Sequence, residues 1–286
     1  MTSPIVAGVD GTSSGLDATA LGARLATDIG TSLVVVCVAP EANQVDDAEP
    51  EGHAASSILE AAREAVGDLP AEFRTVASTS PAHGLADFAE KEGAETVVVG
   101  STHRGAVGRV MSGSTAERLL HGTSCPVAMA PRGYRRHRTE PMRAIGAAFT
   151  DTPEGHEAVR VAADIAKRAE LPLTVYSVVA LHSNWLRPQA VQPDASVVPE
   201  EVSKTYREAL DRVVAGLPGG VRGTGELLFG EVVDELSMVG ERGVDLLVCG
   251  SRGYGPVRRV LLGTVSSALV RQASVPTLVV PRAGPG

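Results

Sequence analysis

Three glycines followed by a threonine, near the end of the chain, could hold a phosphate group. The segment GSRGYGPVRRVLLGTVSS follows the apolar run DLLVCG and has two residues between Gly250 and Gly253, nine more before Gly263, and then Thr264. Glycine lets the backbone approach an anion closely, and the free N–H groups at a helix start attract it. The segment therefore indicates a phosphate-binding loop that opens into a helix. Tight turns with Thr264 as a helix N-cap would give the same residues, so both interpretations stay open.

The chain contains an internal repeat that carries this spacing twice. Residues 97–132 and 247–282 align without gaps at an offset of 150, with 13 identities in 36 positions. Chance would give roughly two or three identities at average composition. Near the start of each half the offset is 140. A duplicated unit of this size predicts two domains of the same fold.

The loop of the first half is a less complete version of the second. Gly100, Gly113 and Ser114 stand at the matching places, but His103 replaces the middle glycine. His103 could contact a bound phosphate or lie in a solvent-facing turn, and the sequence leaves both open. Ser114 also begins the capping-box sequence STAE, which is favourable without any ligand. In the second loop, Arg252 could neutralise phosphate charge.

Strands and helices must alternate in both halves to position these loops. The apolar runs are PIVAGV, SLVVVCVA, EFRTVA, ETVVVG and PVAMA in the first half, and AIGAAF, LTVYSVVA, VRGTGELLF, DLLVCG and PTLVVP in the second. Helical patterns cover residues 16–29, 57–66, 81–91 and from 114 on, then 154–169, 203–215, 231–243 and from 264 on. Continuous valine-rich strands between amphipathic helices predict parallel sheets covered on both faces. We predict an α/β protein with two doubly wound domains, 1–133 and 143–286, joined by the linker 134–142.

Charge, cysteines and hydropathy exclude several classes of protein. A net charge of −8 argues against nonspecific nucleic-acid binding. The widely separated Cys37, Cys125 and Cys249 suit reduced thiols better than disulfides or zinc ligands. No apolar run approaches the roughly 20 residues of a membrane span, and the start lacks an export-type sequence. We therefore expect a cytoplasmic protein.

The loop pattern Gly-x2-Gly-x9-Gly-(Ser/Thr) resembles the nucleotide loop of the universal stress protein family, and the tandem halves resemble its two-domain members. The resemblance implies a five-stranded parallel sheet of order 3-2-1-4-5 in each half. It also implies that an Asp after the first strand holds ribose and that an apolar residue ending the second strand contacts adenine. Carried over, the first site comprises Asp10, Val38, Gly100, Gly113 and Ser114. The second comprises Val178, Gly250, Gly253, Gly263, Thr264 and Ser266, to which we add Arg252 and Val265 as further candidates from the same loop and helix start.

The residue at the position expected to hold the ribose differs between the two halves. Thr150 occupies the position that matches Asp10, and Asp151 follows it. Asp151 could face a ribose or cap the helix that begins near residue 154, and both interpretations stay open. Asp10 has the same two interpretations, and its family-matched position favours the ribose.

The resemblance implies a stress-response protein that binds ATP, or alternatively ADP or AMP, as a sensor or regulator, with Mg²⁺ as a possible companion of ATP. A slow ATPase or phosphotransferase and a nucleotide-free interaction scaffold are the alternatives, and we assign no catalytic residue or metal ligand. The expected partners are an adenine nucleotide and an unknown protein, with neither membrane nor nucleic acid. The last strand of each half would expose an apolar edge, so we expect the two to pair across a pseudo-twofold axis. The resulting intramolecular pseudo-dimer could also form a homodimer.

Overall fold

The computed structural model of the protein describes residues 3–41, 51–101, 114–137, 140–180, 200–251 and 263–281. The strands in these ranges are β1 (Ile5–Val9), β2 (Leu33–Ala39), β3 (Ala71–Ala77), β4 (Thr96–Gly100), β5 (Val127–Ala130), β6 (Ile145–Ala148), β7 (Leu173–Ala180), β8 (Gly223–Gly230), β9 (Leu246–Gly250) and β10 (Thr277–Val280). The helices are α1 (Ser13–Ile29), α2 (Glu51–Val66), α3 (Pro81–Lys91), α4 (Ser114–Gly122), α5 (Pro153–Arg168), α6 (Glu200–Ala215), α7 (Val232–Ser237) and α8 (Thr264–Gln272). Short 3-10 helices lie at Tyr134–His137 and Val239–Arg242.

All ten of these strands belong to one sheet, in the order β3-β2-β1-β4-β5-β10-β9-β6-β7-β8. Each half has the expected order 3-2-1-4-5, with parallel neighbours. β5 and β10 pair antiparallel, with Met129 opposite Thr277 and Val127 opposite Val279. This confirms the predicted fold and the pairing through the last strands, which covers both apolar edges.

The central strands are apolar on both faces because helices cover both sides of the sheet. Alternate residues of β2 show this: Val35 packs into the cluster under α1 and α2, whereas Val36 packs into the cluster under α3 and α4. The first cluster continues through β5 and β10 into the helices of the second half. The outer strands β3 and β8 are much more exposed. The two halves therefore share a sheet and part of a core.

The segment between the halves is anchored on α1. The carboxylate of the buried Asp17 accepts hydrogen bonds from the backbone N–H groups of Gly133, at 2.7 Å, and Arg135, at 3.1 Å. Arg135 also donates to the carbonyl of Ser13, at 2.7 Å. The start of the predicted linker thus packs beside the first turn of α1. Among the described helices, none combines the length and apolar character required to cross a bilayer.

The continuous helix predicted over 231–243 is wrong in its extent. α7 ends at Ser237, and a 3-10 helix follows at Val239–Arg242. The carbonyl of Ser237 accepts hydrogen bonds from the N–H and hydroxyl of Ser274, which withdraws it from the helix. Gly240 then packs so closely on Val275 that a Cβ would lie 2.6 Å from its Cγ1. This tertiary contact overrides the helical sequence pattern.

Candidate functional site

Two clefts open at the carboxyl ends of the strands, one in each half. This edge is where open parallel sheets bind ligands, at the point where the strand order reverses. The first cleft lies between β1 and β4 and has a volume of about 100 Å³. The second lies between β6 and β9 and has a volume of about 670 Å³. Only the second falls within the range of about 300–1,000 Å³ that is usual for small-molecule sites.

A helix covers part of each cleft, and the two helices differ in glycine content. In the first half, Gly84 of α3 lies so close to β2 that a Cβ would be 2.8 Å from Cγ1 of Val38 and 2.9 Å from the Cβ of Ser78. This approach brings Pro81 and Leu85 into the lining. In the second half, α7 contains no glycine and has the sequence VVDELS. Val232, Val233 and Leu236 of this helix line the second cleft.

The start of α8 forms one wall of the second cleft. Gly263 occupies the N-cap position with φ −68° and ψ 160°, so the alternative interpretation of Thr264 as the N-cap is wrong. Thr264 is exposed and does not contribute to the lining, whereas Gly263, Val265 and Ser266 do. The first N–H groups of a helix have no partner within it, and the positive end of the helix dipole adds to their attraction for an anion.

Gly250 and Gly100 end β9 and β4 at equivalent places beside these clefts. A Cβ on Gly250 would lie 2.5 Å from the carbonyl oxygen of Glu154, and one on Gly100 would overlap the carbonyl of Ser14. Gly250 therefore lets the end of β9 pack against the first turn of α5, and Gly100 lets the end of β4 pack against the first turn of α1. This packing requires glycine at both positions even without a ligand.

The opposite wall of the second cleft is apolar and aromatic. Val178 and Ala180 at the end of β7 line it together with Phe149, Tyr176 and Tyr206. Val38, the counterpart of Val178, lines the first cleft. The sequence interpretation found both valines and missed the three aromatic residues. The offset of 140 could have revealed two of them, because it aligns Phe149 with Val9 and Tyr176 with Val36.

Asp10 lines the first cleft but does not cap α1. Its Oδ1 accepts hydrogen bonds from the N–H of Thr12, at 3.1 Å, and from the hydroxyl of Thr12, at 2.6 Å. Thr12 is the N-cap, and its hydroxyl accepts a hydrogen bond from the N–H of Gly15 at 3.2 Å. The capping interpretation of Asp10 is therefore wrong.

In the second half, the carboxylate of Asp151 pairs with two neighbouring side chains. Its carboxylate lies 2.8 Å from Nε2 of His156 and 3.2 Å from Nη2 of Arg212, and the hydrogen bond with His156 lowers the pKa of Asp151. Thr152 caps α5, and Thr150 lines the cleft in place of Asp151. Because Thr152 is the N-cap, the capping interpretation of Asp151 is wrong, whereas its contact with a ribose stays a prediction.

The described lining of the second cleft includes two acidic residues, Glu154 and Glu231. No Lys, Arg or His lies among the described residues of this lining. Cys249 also lines this cleft, and burial raises the pKa of its thiol to about 12. The sequence interpretation missed all three residues. Within the described ranges, no three His, Cys, Asp or Glu side chains converge as metal ligands.

Several predicted site residues fall outside the described residues: Gly113, Arg252, Gly253 and His103. Ser114 begins α4, and its side chain is also outside them. The next two residues of that helix, Thr115 and Ala116, line the first cleft. The start of α4 therefore borders the first cleft as the start of α8 borders the second.

The fold and the clefts define a class: tandem doubly wound α/β domains that share one sheet, each with a cleft between a strand end and a helix start. The profile described as the Universal stress protein family matches residues 1–131 and 142–281, and the chain belongs to this family.

Relatives resemble the chain over nearly its whole length. A universal stress protein of Mycobacterium tuberculosis is 29% identical over 281 residues, which cover 91% of this chain and 94% of that protein. The crystal structure of a universal stress protein from Archaeoglobus fulgidus superposes with a TM-score of 0.64 at 18% identity and covers 98% of both chains. A putative universal stress protein from Pseudomonas aeruginosa gives a TM-score of 0.61 at 17% identity, with 98% of this chain and 93% of that chain covered. These structures support the tandem fold.

Proposed function

We propose that this universal stress protein binds an adenine nucleotide in its second cleft and acts as a nucleotide-dependent regulator rather than an enzyme. The observation that carries the proposal is the pairing, within one cleft of about 670 Å³, of an apolar wall at Val178 with the start of α8 at Gly263. One wall suits a base and the other suits a phosphate.

The backbone of α8 provides the phosphate side of this proposed site. Gly263 has no side chain between the cleft and the first N–H groups of the helix, and Val265 and Ser266 lie in the same lining. The hydroxyl of the buried Ser266 donates to the carbonyl of Gly263 at 3.3 Å, which fixes the turn that presents these groups. Preorganised donors bind an anion without a further ordering cost.

The end of β7 provides the base side. Val178 is 6% exposed and Ala180 is half-buried, and both lie in the cleft with Tyr176 and Tyr206. Burying the flat face of an adenine against such a wall is favourable because it removes apolar surface from water. In the first cleft, Asp10 would hold the ribose and Val38 would contact the base. The volume of that cleft, about 100 Å³, is smaller than a nucleotide requires.

Binding should first be measured on the full chain. The purified protein is denatured and released small molecules are identified by mass spectrometry, and the nucleotide-free protein is then titrated calorimetrically with AMP, ADP and ATP. We expect saturable binding of one nucleotide per chain. The absence of both released nucleotide and saturable binding would contradict the proposal and favour a nucleotide-free scaffold.

Matched variants then assign the site. Gly263→Asp places a carboxylate beside the phosphate-facing amides, so we expect it to weaken nucleotide binding by about tenfold or more. Gly113→Asp, at the matching position of the first half, and Asp10→Ala should bind within about twofold of the parent. Loss of binding in either first-half variant but not in Gly263→Asp would move the site to the first cleft. If the parent instead converts the nucleotide to a product over hours, and Gly263→Asp does not, the protein would be an enzyme.

A further inference from the structure

A buried serine hydroxyl follows the fourth strand of each half. Ser101 comes directly after Gly100 at the end of β4, and Ser251 comes directly after Gly250 at the end of β9. Ser101 is 2% exposed and Ser251 is 1% exposed, and neither hydroxyl has a hydrogen-bond partner among the described residues. Most buried hydroxyls in proteins are paired, because an unpaired one is destabilising. The same exception at two equivalent positions therefore calls for a common explanation.

The backbone of each serine is held in the sheet. The N–H of Ser251 donates to the carbonyl of Val280 at 2.9 Å, and the N–H of Ser101 donates to the carbonyl of Ala130 at 3.1 Å. The pairing of β9 with β10 thus continues one residue beyond Gly250. The side chains of a strand alternate between the two faces of its sheet, so this alternation extends to Ser251.

Alternation places the side chain of Ser251 on the face of the sheet that α8 covers. A Cβ on Gly250 would point toward the carbonyl of Glu154 on α5, so the residues on either side of Gly250 face the opposite way. Cys249, one of these two, packs in the same cluster as Leu269 of α8 and lines the second cleft. Ser251 lies about 7 Å further toward the carboxyl end of the strand, which is the edge where the cleft opens. Its hydroxyl is therefore on the side of the cleft where α8 begins.

On the basis of the proposed function, we propose that Ser251 is a further phosphate-binding residue of the second cleft and that its hydroxyl donates to a phosphate oxygen of the bound nucleotide. A phosphate oxygen is a charged acceptor and forms a strong hydrogen bond. A hydroxyl that has no partner in the free protein breaks no bond within the protein when it forms this one. The phosphate is then held by two elements, the backbone at the start of α8 and the side chain at the end of β9.

The stability of the nucleotide-free protein provides the first test. Ser251→Ala removes a buried hydroxyl that has no partner, so we expect it to raise the melting temperature by about 2–4 °C. Ser101→Ala should raise the melting temperature by a similar amount. Differential scanning calorimetry of the nucleotide-free full chain measures both. An unchanged or lower melting temperature in Ser251→Ala would show that the hydroxyl already has a partner in the free protein, and would overturn the inference.

The second test is calorimetric titration of the parent and both variants with AMP and with adenosine, which lacks the phosphate. We expect Ser251→Ala to bind AMP about tenfold more weakly than the parent, because the bond to a charged acceptor is lost. It should bind adenosine within about twofold of the parent. Ser101→Ala is the matched control, since it removes the equivalent hydroxyl beside the smaller first cleft, and it should bind both ligands within about twofold of the parent.

Two binding results would overturn this inference while leaving the proposed function intact. One is equal affinity of the parent and Ser251→Ala for AMP. The other is equal weakening of AMP and adenosine in Ser251→Ala, because the hydroxyl would then support the cleft as a whole rather than the phosphate. Weaker AMP binding in Ser101→Ala but not in Ser251→Ala would move the nucleotide to the first cleft and overturn both proposals. Failure of every nucleotide to bind the parent would likewise overturn both.

Discussion

Arg168 of α5 reaches from the second half of the chain to Glu95 in the first, where its Nη1 lies 2.6 Å from Oε1 of the carboxylate. The same guanidinium donates through Nε to the carbonyl of Ile29, at 3.2 Å, so one side chain contacts two segments of the first half. Both partners of the ion pair are mostly buried, at 30% and 26% exposure. On α8, Arg271 pairs with Glu117 of the first half at 3.2 Å. The two halves are thus joined by polar contacts as well as by the shared sheet.

The Arg168 contact should contribute measurably to stability. Arg168→Ala leaves a partly buried carboxylate and a backbone carbonyl without this donor, so we expect the free energy of unfolding to fall by about 1–2 kcal/mol. Urea denaturation followed by circular dichroism measures the change. Arg160→Ala is the control, because Arg160 pairs only with the adjacent turn at Glu157 in the contacts described and should cost at most about 0.5 kcal/mol. Equal losses in the two variants would count against a special role for Arg168.

The continuous sheet should make the two halves unfold together. Leu278 of β10 is 1% exposed and lies opposite Ala128 of β5, so Leu278→Ala should lower the free energy of unfolding by about 2–5 kcal/mol. We expect a single calorimetric transition in both parent and variant. Leu227→Ala, on the outer strand β8, should cost less because Leu227 is only half-buried. Two separated transitions in the parent would show that the halves unfold independently.

Gly250 should resist substitution for a steric reason. Gly250→Ala forces a Cβ to within 2.5 Å of the carbonyl oxygen of Glu154, so we expect a loss of about 1–3 kcal/mol in the free energy of unfolding. Gly219→Ala serves as the control, because nothing lies within 4 Å of its added Cβ. That variant should unfold at the parent's urea midpoint or slightly above it. A Gly250→Ala protein as stable as Gly219→Ala would contradict the close packing of β9 on α5.

Cys249 should make the protein less stable in alkali. Its pKa in the folded chain is raised to about 12 by burial, whereas a thiol in the unfolded chain ionises near pH 8.5. The stabilising effect of keeping the thiol neutral is complete below about pH 8.5 and is lost as the pH rises toward 12, because only the unfolded chain loses the proton. Because of this thiol, we expect the free energy of unfolding to fall by about 1 kcal/mol between pH 8 and 9.5.

Cys249→Val, which copies Val99 of the first half, should remove that part of the pH dependence. The free energies of unfolding of parent and variant are compared by urea denaturation at pH 7, 8 and 9.5 under reducing conditions. Parallel pH profiles for the two proteins would contradict the assignment to Cys249.

The sequence predicted the fold well because its signals are local and repeated. The valine-rich runs predict strands that are buried on both faces, and the apolar edges of PVAMA and PTLVV predict the β5–β10 pairing. The extent of α7 was not predictable in the same way, because Ser274 ends that helix from a distance of 37 residues in sequence.

The site was only partly predictable from sequence. Gly250 and Val178 lie at the ends of strands and Gly263 precedes a helix, and the structure brings the three residues into one cleft. Tyr206 reaches that cleft only through the packing of α6, a relationship that no spacing within the sequence encodes. The close approach of Gly84 of α3 to Val38 is likewise a tertiary contact that no local pattern predicts.

Nucleotide binding in the second cleft can be observed directly in crystals of the full chain soaked with AMP. We expect electron density for the nucleotide in the second cleft, with its phosphate at the N–H groups of Val265 and Ser266 and its base between Val178 and Tyr206. Density in the first cleft beside Asp10 and Val38, or an unchanged second cleft at saturating AMP, would contradict it.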